Sequence, residues 1–323
     1  MRRAATPCLL VLASVWVLAL SACGGQTDPP ASHGRPTSSD DPRFLPLAAY
    51  DMPDNDDRTV ARARWTLAKE CMVRLGFSGL RKLAVDPTPG WPRRPAGTGV
   101  VTAVMYAGDT FRYGVQDPKE AARYGYQGAR ISYERRFPDR DWTLPQYLAL
   151  TGEFVGDDPK SVHGHRIPDG GCLGEADRAI FGTDPRTRKD PVLHLESESL
   201  RQGMKDPAWK KADKAWAACM REAGYHYATP DAAEIGEDRQ DLELKDRLNG
   251  SPHDPDEPSA LEKKTATADA RCKQRTDYVH TVHAVDVRLQ NRLITENRTE
   301  LEKQRHWNDA AARRARAILD ARS

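Results

Sequence analysis

One phrase occurs twice in this chain, and it constrains the fold more than any other feature. Residues 70–77 are Glu-Cys-Met-Val-Arg-Leu-Gly-Phe and residues 218–225 are Ala-Cys-Met-Arg-Glu-Ala-Gly-Tyr, so each copy has Cys-Met, three further residues, a glycine and an aromatic residue. Each copy closes a segment whose apolar residues recur at helical spacing. One further cysteine follows each copy, Cys172 after the first and Cys272 after the second. The repetition predicts two helical units built on one plan.

The end of each phrase has a structural explanation. A glycine just after the last turn of a helix adopts a left-handed backbone conformation, and the next apolar residue folds back on the helix. We therefore expect Gly76 and Phe77 to end a helix that begins near Asp57, and we expect Gly224 and Tyr225 to end its counterpart. The phrase is interpreted as part of the scaffold.

The first two dozen residues predict export and a lipid anchor. Arg2 and Arg3 precede an apolar run over residues 8–20, which is too short to span a membrane and is typical of a signal peptide. The run leads into Leu20-Ser21-Ala22-Cys23, which resembles the lipobox of bacterial lipoproteins. The resemblance implies cleavage before Cys23, a diacylglyceryl group on its thiol, palmitate among the acyl chains of that residue, and a mature chain on the outer face of the cytoplasmic membrane. The alternative is an ordinary secretory signal with a chance cysteine.

The charge balance gives no indication of a nucleic-acid partner. The chain has 49 basic and 47 acidic residues, and removal of Arg2 and Arg3 with the signal leaves 47 of each. Interspersed charges of both signs are typical of a solvated globular surface, and they do not form the basic patch that phosphate binding requires.

The cysteine count predicts two disulfides. Cys8 leaves with the signal and Cys23 is lipidated, so four cysteines remain in a compartment that permits disulfides. Four cysteines allow three connectivities. We favour Cys71 with Cys172 and Cys219 with Cys272, because each phrase would then be stapled to its own downstream helix. Free buried thiols are an alternative, whereas a four-cysteine metal site needs close cysteine pairs that this sequence lacks.

The fold class predicted is mainly α, with two disulfide-stapled helical units, a small β-hairpin in an irregular insertion, and a long C-terminal helix or helical hairpin. The predicted parts are a signal peptide (1–22), a lipidated N-terminus with a disordered tether (23–43), a first helical unit with the insertion (44–189) and a second helical unit with the long C-terminal helix (190–323).

Several local predictions refine this plan. Residues 44–50 are expected to form an extended arm laid on the core, residues 100–105 a strand, residues 162–171 a hairpin and turn, and residues 230–248 a helix. Residues 259–323 contain neither glycine nor proline, which favours continuous helix. A single helix of that length would measure about 97 Å, so we expect a break or a projecting, charged end.

Two groups of histidines are candidates for a metal site. His163 and His165 would lie on one strand face, and His280, His283 and Asp286 follow one another at helical spacing. The alternatives are hairpin-turn residues in the first case and a polar flank of the helix in the second. No cofactor and no metal is predicted, because the sequence lacks the strong motifs for hydrolases, phosphate loops and zinc or calcium sites.

The remaining site candidates are weaker. Acidic pairs can act as a general acid and base only across a cleft, and the spacing does not show a cleft. Tryptophans can line a sugar or peptide groove, and basic residues near the C-terminus can contact an anionic wall polymer; solvated surface or core is the alternative throughout. The residues are Glu196 with Glu198, Asp139 with Asp141, the tryptophans Trp65, Trp91, Trp142 and Trp307, and the basic residues Lys303, Arg305, Arg313, Arg314 and Arg316, while Trp209 and Trp216 are expected in the core.

The lipobox, the polar tether and the helices that end in Cys-Met-x-x-x-Gly-Phe/Tyr together resemble a group of secreted actinomycete lipoproteins of uncharacterised function. The resemblance implies no catalytic residues. We expect a surface-anchored, non-catalytic binding or accessory protein of the cell envelope, with the membrane and a cell-wall or envelope protein as partners. The alternatives are a hydrolase of cell-wall glycan or peptide and a solute-binding lipoprotein. A specific ligand would be sought first in the insertion, residues 79–171.

Overall fold

The computed structural model describes residues 44–95, 98, 112–128, 140–236 and 258–322. Within them the chain forms ten α-helices and a two-stranded antiparallel hairpin, which confirms the mainly α fold class. The helices are α1 (Asp54–Arg74), α2 (Pro118–Tyr124), α3 (Leu144–Thr151), α4 (Gly171–Phe181), α5 (Pro191–Gly203), α6 (Pro207–Glu222), α7 (Pro230–Ile235), α8 (Ala260–Arg275), α9 (Tyr278–Glu296) and α10 (Arg298–Asp320), and the strands are β1 (Ser161–Val162) and β2 (His165–Arg166).

Both copies of the repeated phrase end their helices with the same hydrogen bonds. The Phe77 N–H donates to Met72 O at 3.0 Å, and the Tyr225 N–H donates to Met220 O at 2.9 Å. The intervening glycines have φ +94° and φ +89°. This is the Schellman arrangement, in which a left-handed glycine lets the chain turn back and satisfy the last carbonyls of the helix.

The first disulfide lies in a core made by α1, α3 and α4. Cys71 is bonded to Cys172, 101 residues away, as predicted. Around it pack Met72, Leu148 and Leu173, all buried. Trp65 and Trp142 stack at 6.1 Å between ring centroids in the same core. Closing so long a loop restricts the unfolded chain, which is worth about 4 kcal/mol or more in the chain-entropy model.

The second disulfide lies in a core made by α6, α8 and α9. Cys219 is bonded to Cys272, 53 residues away, which confirms the second predicted pair. Trp209 and Trp216 are buried there beside Met220, as expected from their spacing on α6. Both phrases therefore supply a disulfide, a buried methionine and a helix end to a core.

Residues 259–322 form three helices, so the expected break is confirmed and occurs twice. The first break is at Asp277, which has φ +51°, and the second is at Asn297, which separates α9 from α10. The last helix does not project, because α10 packs on α1 and α4 through Ala311 and Ala315.

The helices of the two predicted units also contact each other. Besides the contact of α10 with α1, α2 packs on α8, so a helix of the insertion lies against the second core. The boundary between residues 189 and 190 stays a prediction.

The arm at residues 44–50 is buried on the core, but it forms a 3-10 turn over Pro46–Tyr50 and is not extended. Its backbone is held by three side chains of the C-terminal helices. His283 Nε2 bonds to Phe44 O at 2.7 Å, the Leu47 N–H donates to Gln290 Oε1 at 2.9 Å, and Asn308 Nδ2 donates to Tyr50 O at 3.2 Å.

Other local predictions have mixed outcomes. The hairpin is present, with Val162 paired to His165. Helix α7 ends at Ile235 because Gly236 takes a left-handed conformation with φ +58°, so the predicted helix over 230–248 stops early. The rest of that span and the predicted strand at 100–105 lie outside the described residues. None of the described helices has both the length and the apolar composition to cross a bilayer.

The two helix-ending glycines give a matched pair for mutagenesis. A Cβ on Gly224 meets nothing within 4 Å, whereas a Cβ on Gly76 lies 2.7 Å from His163 Nδ1. Gly224→Ala should lower the free energy of unfolding by about 1–2 kcal/mol, the cost of left-handed backbone for an L-residue. Gly76→Ala should cost more, and urea denaturation of both variants measures the difference. Equal losses would contradict the close packing of the hairpin on the first helix end.

Candidate functional site

Asp286, a metal candidate in the sequence, is the centre of a buried ion pair instead. Its side chain is fully buried and accepts two hydrogen bonds from Arg112, from Nε at 3.1 Å and from Nη2 at 2.6 Å. The Tyr113 hydroxyl donates to it at 2.9 Å and the Ser199 hydroxyl at 3.3 Å. Burial opposes the charge on Arg112, but the hydrogen bonds and the charge of Asp286 outweigh it and raise the pKa of Arg112.

A second buried group holds the rest of the segment 112–127. Glu262 accepts from the Tyr126 N–H at 2.9 Å, and Lys273 donates to Val115 O at 3.1 Å and to Asp269 at 3.0 Å. Burial raises the pKa of Asp269, although the charge and hydrogen bond of Lys273 act in the other direction. Charged side chains of α8 and α9 thus fix this part of the insertion, which makes them structural.

The histidine candidates do not come together. His163 lies in the hairpin turn at φ +47°, its Nδ1 is 2.9 Å from Leu75 O, and its ring meets Phe77 edge-on at 4.7 Å. His165 is exposed on β2. On α9, His280 is exposed and bonds to Asp277, whereas His283 is buried against the arm. Among the described residues, no three His, Cys, Asp or Glu side chains are placed to hold a metal ion.

The acidic pairs form no catalytic arrangement in the described residues. Glu198 bonds to Gln202 and Arg201 on its own helix surface, while the Glu196 carbonyl lies 3.5 Å from Arg112 Nη1. Asp141 is exposed, and Asp139 lies outside the described residues.

The basic residues near the C-terminus mostly contact their own chain. Lys303 pairs with Glu300, Arg305 with Glu302, and Arg316 with Asp56. Arg314 donates to Ile180 O at 2.6 Å, and Arg313 is exposed. These contacts do not support a continuous cationic surface for an anionic polymer.

Of the four tryptophans proposed to line a groove, one does so. Trp65 and Trp142 are buried in the first core, so the groove interpretation is wrong for both, and Trp91 is exposed and does not line the groove described below. Trp307 lies half-buried on α10, where its ring stacks on Phe181 at 4.7 Å and 28°. The Arg188 guanidinium carbon lies 4.4 Å from the centre of the Trp307 ring, a cation–π distance.

These residues belong to the α1–α10 groove, an open cavity of about 200 Å³ between the end of the arm, α1, the end of α4, the loop after it, and α10. No lining residue comes from the insertion, so the prediction of a site within residues 79–171 stays a prediction. The groove is lined by Asp51, Met52, Asp57, Val60, Arg64, Phe181, Pro185, Arg188, Asp190, Gln304, Trp307 and Asn308.

A relay of side-chain amides fixes one wall of the groove. Arg188 Nη1 donates to Gln304 Oε1, Gln304 Nε2 donates to Asn308 Oδ1 at 3.2 Å, and Asn308 Nδ2 donates to Tyr50 O. Gln304 and Asn308 are buried. Since each partner is held by the next, the Arg188 guanidinium is positioned before any ligand arrives.

Sequence reasoning found only Trp307 among these residues. Its neighbour Phe181 is the last residue of α4, and Arg188 lies in a short loop without a motif. The one available signal was the helical spacing of Gln304, Trp307 and Asn308, which places a tryptophan and two amides on one face.

Comparison with known proteins identifies no relative: no protein-family model, no curated protein sequence and no solved structure matches the chain significantly. A functional proposal therefore depends on the residues of this chain and their geometry.

The buried ion pair of Asp286 and Arg112 predicts a large effect of substitution on stability. Asp286→Asn keeps the shape of the side chain but removes the carboxylate that bonds Arg112 twice, so the nearly buried guanidinium keeps only the weaker attraction of Glu196. The loss should lower the free energy of unfolding by about 3–5 kcal/mol. Glu222→Gln is the matched control, since the Glu222–Arg275 pair is exposed and should be worth at most about 1 kcal/mol. Equal losses in urea denaturation would show that Arg112 is not held by this carboxylate.

Asp213 makes a prediction about pH. Its carboxylate accepts from the Tyr278 hydroxyl at 2.8 Å, and burial raises its pKa while that hydrogen bond acts in the other direction. A carboxyl group with a raised pKa in the folded state contributes stability that is complete below the unfolded value of about 3.9 and is lost as the pH rises through the folded value. As the pH is raised from about 4 to about 7, the free energy of unfolding of the native chain should therefore fall, and that of Asp213→Asn should fall less.

Asp184 provides the control of opposite sign. The hydrogen bond from Arg186 lowers its pKa despite the opposing effect of partial burial, so its contribution to stability is lost as the pH falls. Asp184→Asn should flatten the acid side of the stability curve and leave the slope near neutral pH unchanged. If Asp213→Asn behaves in the same way, the assigned direction for Asp213 is wrong.

Proposed function

We propose that this chain is an exported, lipid-anchored protein of the cell envelope that binds a ligand without catalysing its conversion, and that the α1–α10 groove is the binding site. Its partners are the membrane, through acylated Cys23, and a component of the wall or envelope. The observation that carries the binding function is the Arg188 guanidinium, pre-positioned over Trp307 at the wall of an open cavity.

Export is supported by the cysteines as well as by the lipobox. Cys71, Cys172, Cys219 and Cys272 are all paired and buried in the two cores. Structural disulfides of this kind persist in oxidising compartments and are rare in a reducing cytosol. The lipobox and Cys23 themselves lie outside the described residues.

A binding function is favoured over hydrolysis because two buried groups that could have served acid–base chemistry hold the fold together instead. His283 holds the arm at Phe44 O, and Asp286 is saturated by Arg112, Tyr113 and Ser199. All four hydrogen bonds to Asp286 come from side chains of the fold, so the buried carboxylate has no free access to a substrate proton.

The anchor can be tested by lipid labelling in cells. The native chain should incorporate labelled palmitate and enter the detergent phase of a Triton X-114 extraction, because acyl chains on one cysteine bury enough methylene groups for stable anchoring. Cys23→Ala should abolish both properties, while Cys8→Ala, which alters the signal and not the anchor, should retain them. If neither the native chain nor Cys23→Ala incorporates label, and both are equally membrane-bound, a lipid anchor at this residue is excluded.

A further inference from the structure

Two of the charged side chains that line the α1–α10 groove are candidates for a ligand, because neither has an ion-pair partner within the described part of the chain. They are Arg188, whose Nη1 bonds only to the neutral amide of Gln304, and Asp57, which is exposed on α1. Other charges that line the groove are occupied. Arg64 Nε donates to the buried carboxylate of Asp177 at 2.5 Å, and Asp190 Oδ1 accepts from the first N–H groups of α5.

We infer that the groove binds a small zwitterion derived from amino acids, either a free amino acid or a dipeptide, with its carboxylate on Arg188 and its ammonium group on Asp57. The inference rests on the function proposed above and names the ligand class of that same site.

The carboxylate assignment follows from how Arg188 is held. A guanidinium has five N–H donors in a planar fork that matches a carboxylate, and Gln304 engages one of its terminal nitrogens. The Trp307 ring and the amide relay restrict the side chain, so less conformational entropy is lost when a ligand binds. A charge-assisted pair with a carboxylate is also stronger than a bond to a neutral acceptor.

The ammonium assignment follows from the remaining free charge and from size. Asp57 accepts no side-chain hydrogen bond from the described residues, and it faces the same cavity as Arg188. The cavity of about 200 Å³ is smaller than the ~300–1,000 Å³ usual for drug-sized ligands. A chain of two residues spans about 7 Å when extended, which suits a small groove better than a polymer segment does. The half-buried ring of Trp307 lines the cavity and can contact an apolar side chain of the ligand.

The test is calorimetric titration of the full chain in detergent micelles with L-leucine and L-alanyl-L-leucine. Each probe is repeated with its amino group acetylated and with its carboxyl group amidated, and N-acetylglucosamine is included as a neutral probe. At least one unblocked probe should bind, and each blocked form should bind about tenfold or more weakly, because a hydrogen bond to a charged group is lost.

Two variants test which end of the ligand contacts Arg188 and which contacts Asp57, and two further variants are controls. Arg188→Met, which keeps the alkyl stem, should weaken the unblocked probe and remove the effect of amidation. Asp57→Asn should weaken it and remove the effect of acetylation. The matched controls are Arg313→Met, exposed on α10, and Asp54→Asn, in the first turn of α1, both outside the groove. Neither control should change the affinity, and thermal unfolding verifies that every variant is folded.

The possible results distinguish an error in the proposed ligand class from an error in the proposed binding site. Absence of binding by every probe, or equal binding of blocked and unblocked forms, overturns the zwitterion. If N-acetylglucosamine alone binds and Trp307→Leu abolishes its binding, the groove remains a binding site and only the ligand class is wrong. If a zwitterion binds and neither Arg188→Met nor Trp307→Leu changes its affinity, the groove is not its site, and both proposals fall.

Discussion

The burial of charge on α8 and α9 is the constraint on which the arrangement of this chain depends. Asp286, Glu262 and Lys273 are nearly inaccessible to solvent, and each is satisfied by residues of the insertion segment 112–127. A buried charge without its partner costs far more than the pair contributes when complete. The second core therefore requires segment 112–127 in its observed position, although α8 and α9 follow that segment by more than a hundred residues in the chain. The disulfides act within each core, whereas these polar contacts join a segment of the first predicted unit to the second.

The arm is also held because its buried polar groups need partners, and one of these partners links the arm to the α1–α10 groove. Backbone groups of residues 44–50 are satisfied by His283, Gln290 and Asn308, because a buried backbone needs partners as much as a buried side chain does. Asn308 is also the end of the amide relay that positions Arg188. The groove wall therefore includes the segment that leads from the predicted tether. A lipid-anchored chain of this design would present its binding site close to the point where the anchor leaves the folded part.

Sequence reasoning succeeded where a structural cause is local and failed where it is not. A glycine followed by an aromatic residue specifies a helix end through contacts within six residues, so the ends at Gly76 and Gly224 were predictable. The disulfide pairing followed from the repetition of a whole phrase. By contrast, His283 and Asp286 have the spacing of metal ligands, but each serves a different distant segment, Phe44 and Arg112. Helical spacing fixes which face a residue occupies and says nothing about what packs on that face. Arg188 and Gln304 are 116 residues apart, and no local pattern joins them.

The two copies of the phrase show how far a repeated sequence determines a repeated role. Both copies deliver a disulfide, a buried methionine and a Schellman turn. Their surroundings differ, since the β-hairpin packs against Gly76 through His163 while Gly224 faces open space. A shared ligand site would need the same neighbours in both places. Because only the local geometry is shared, the phrase is best understood as a scaffold element, and no residue of either copy lines the α1–α10 groove.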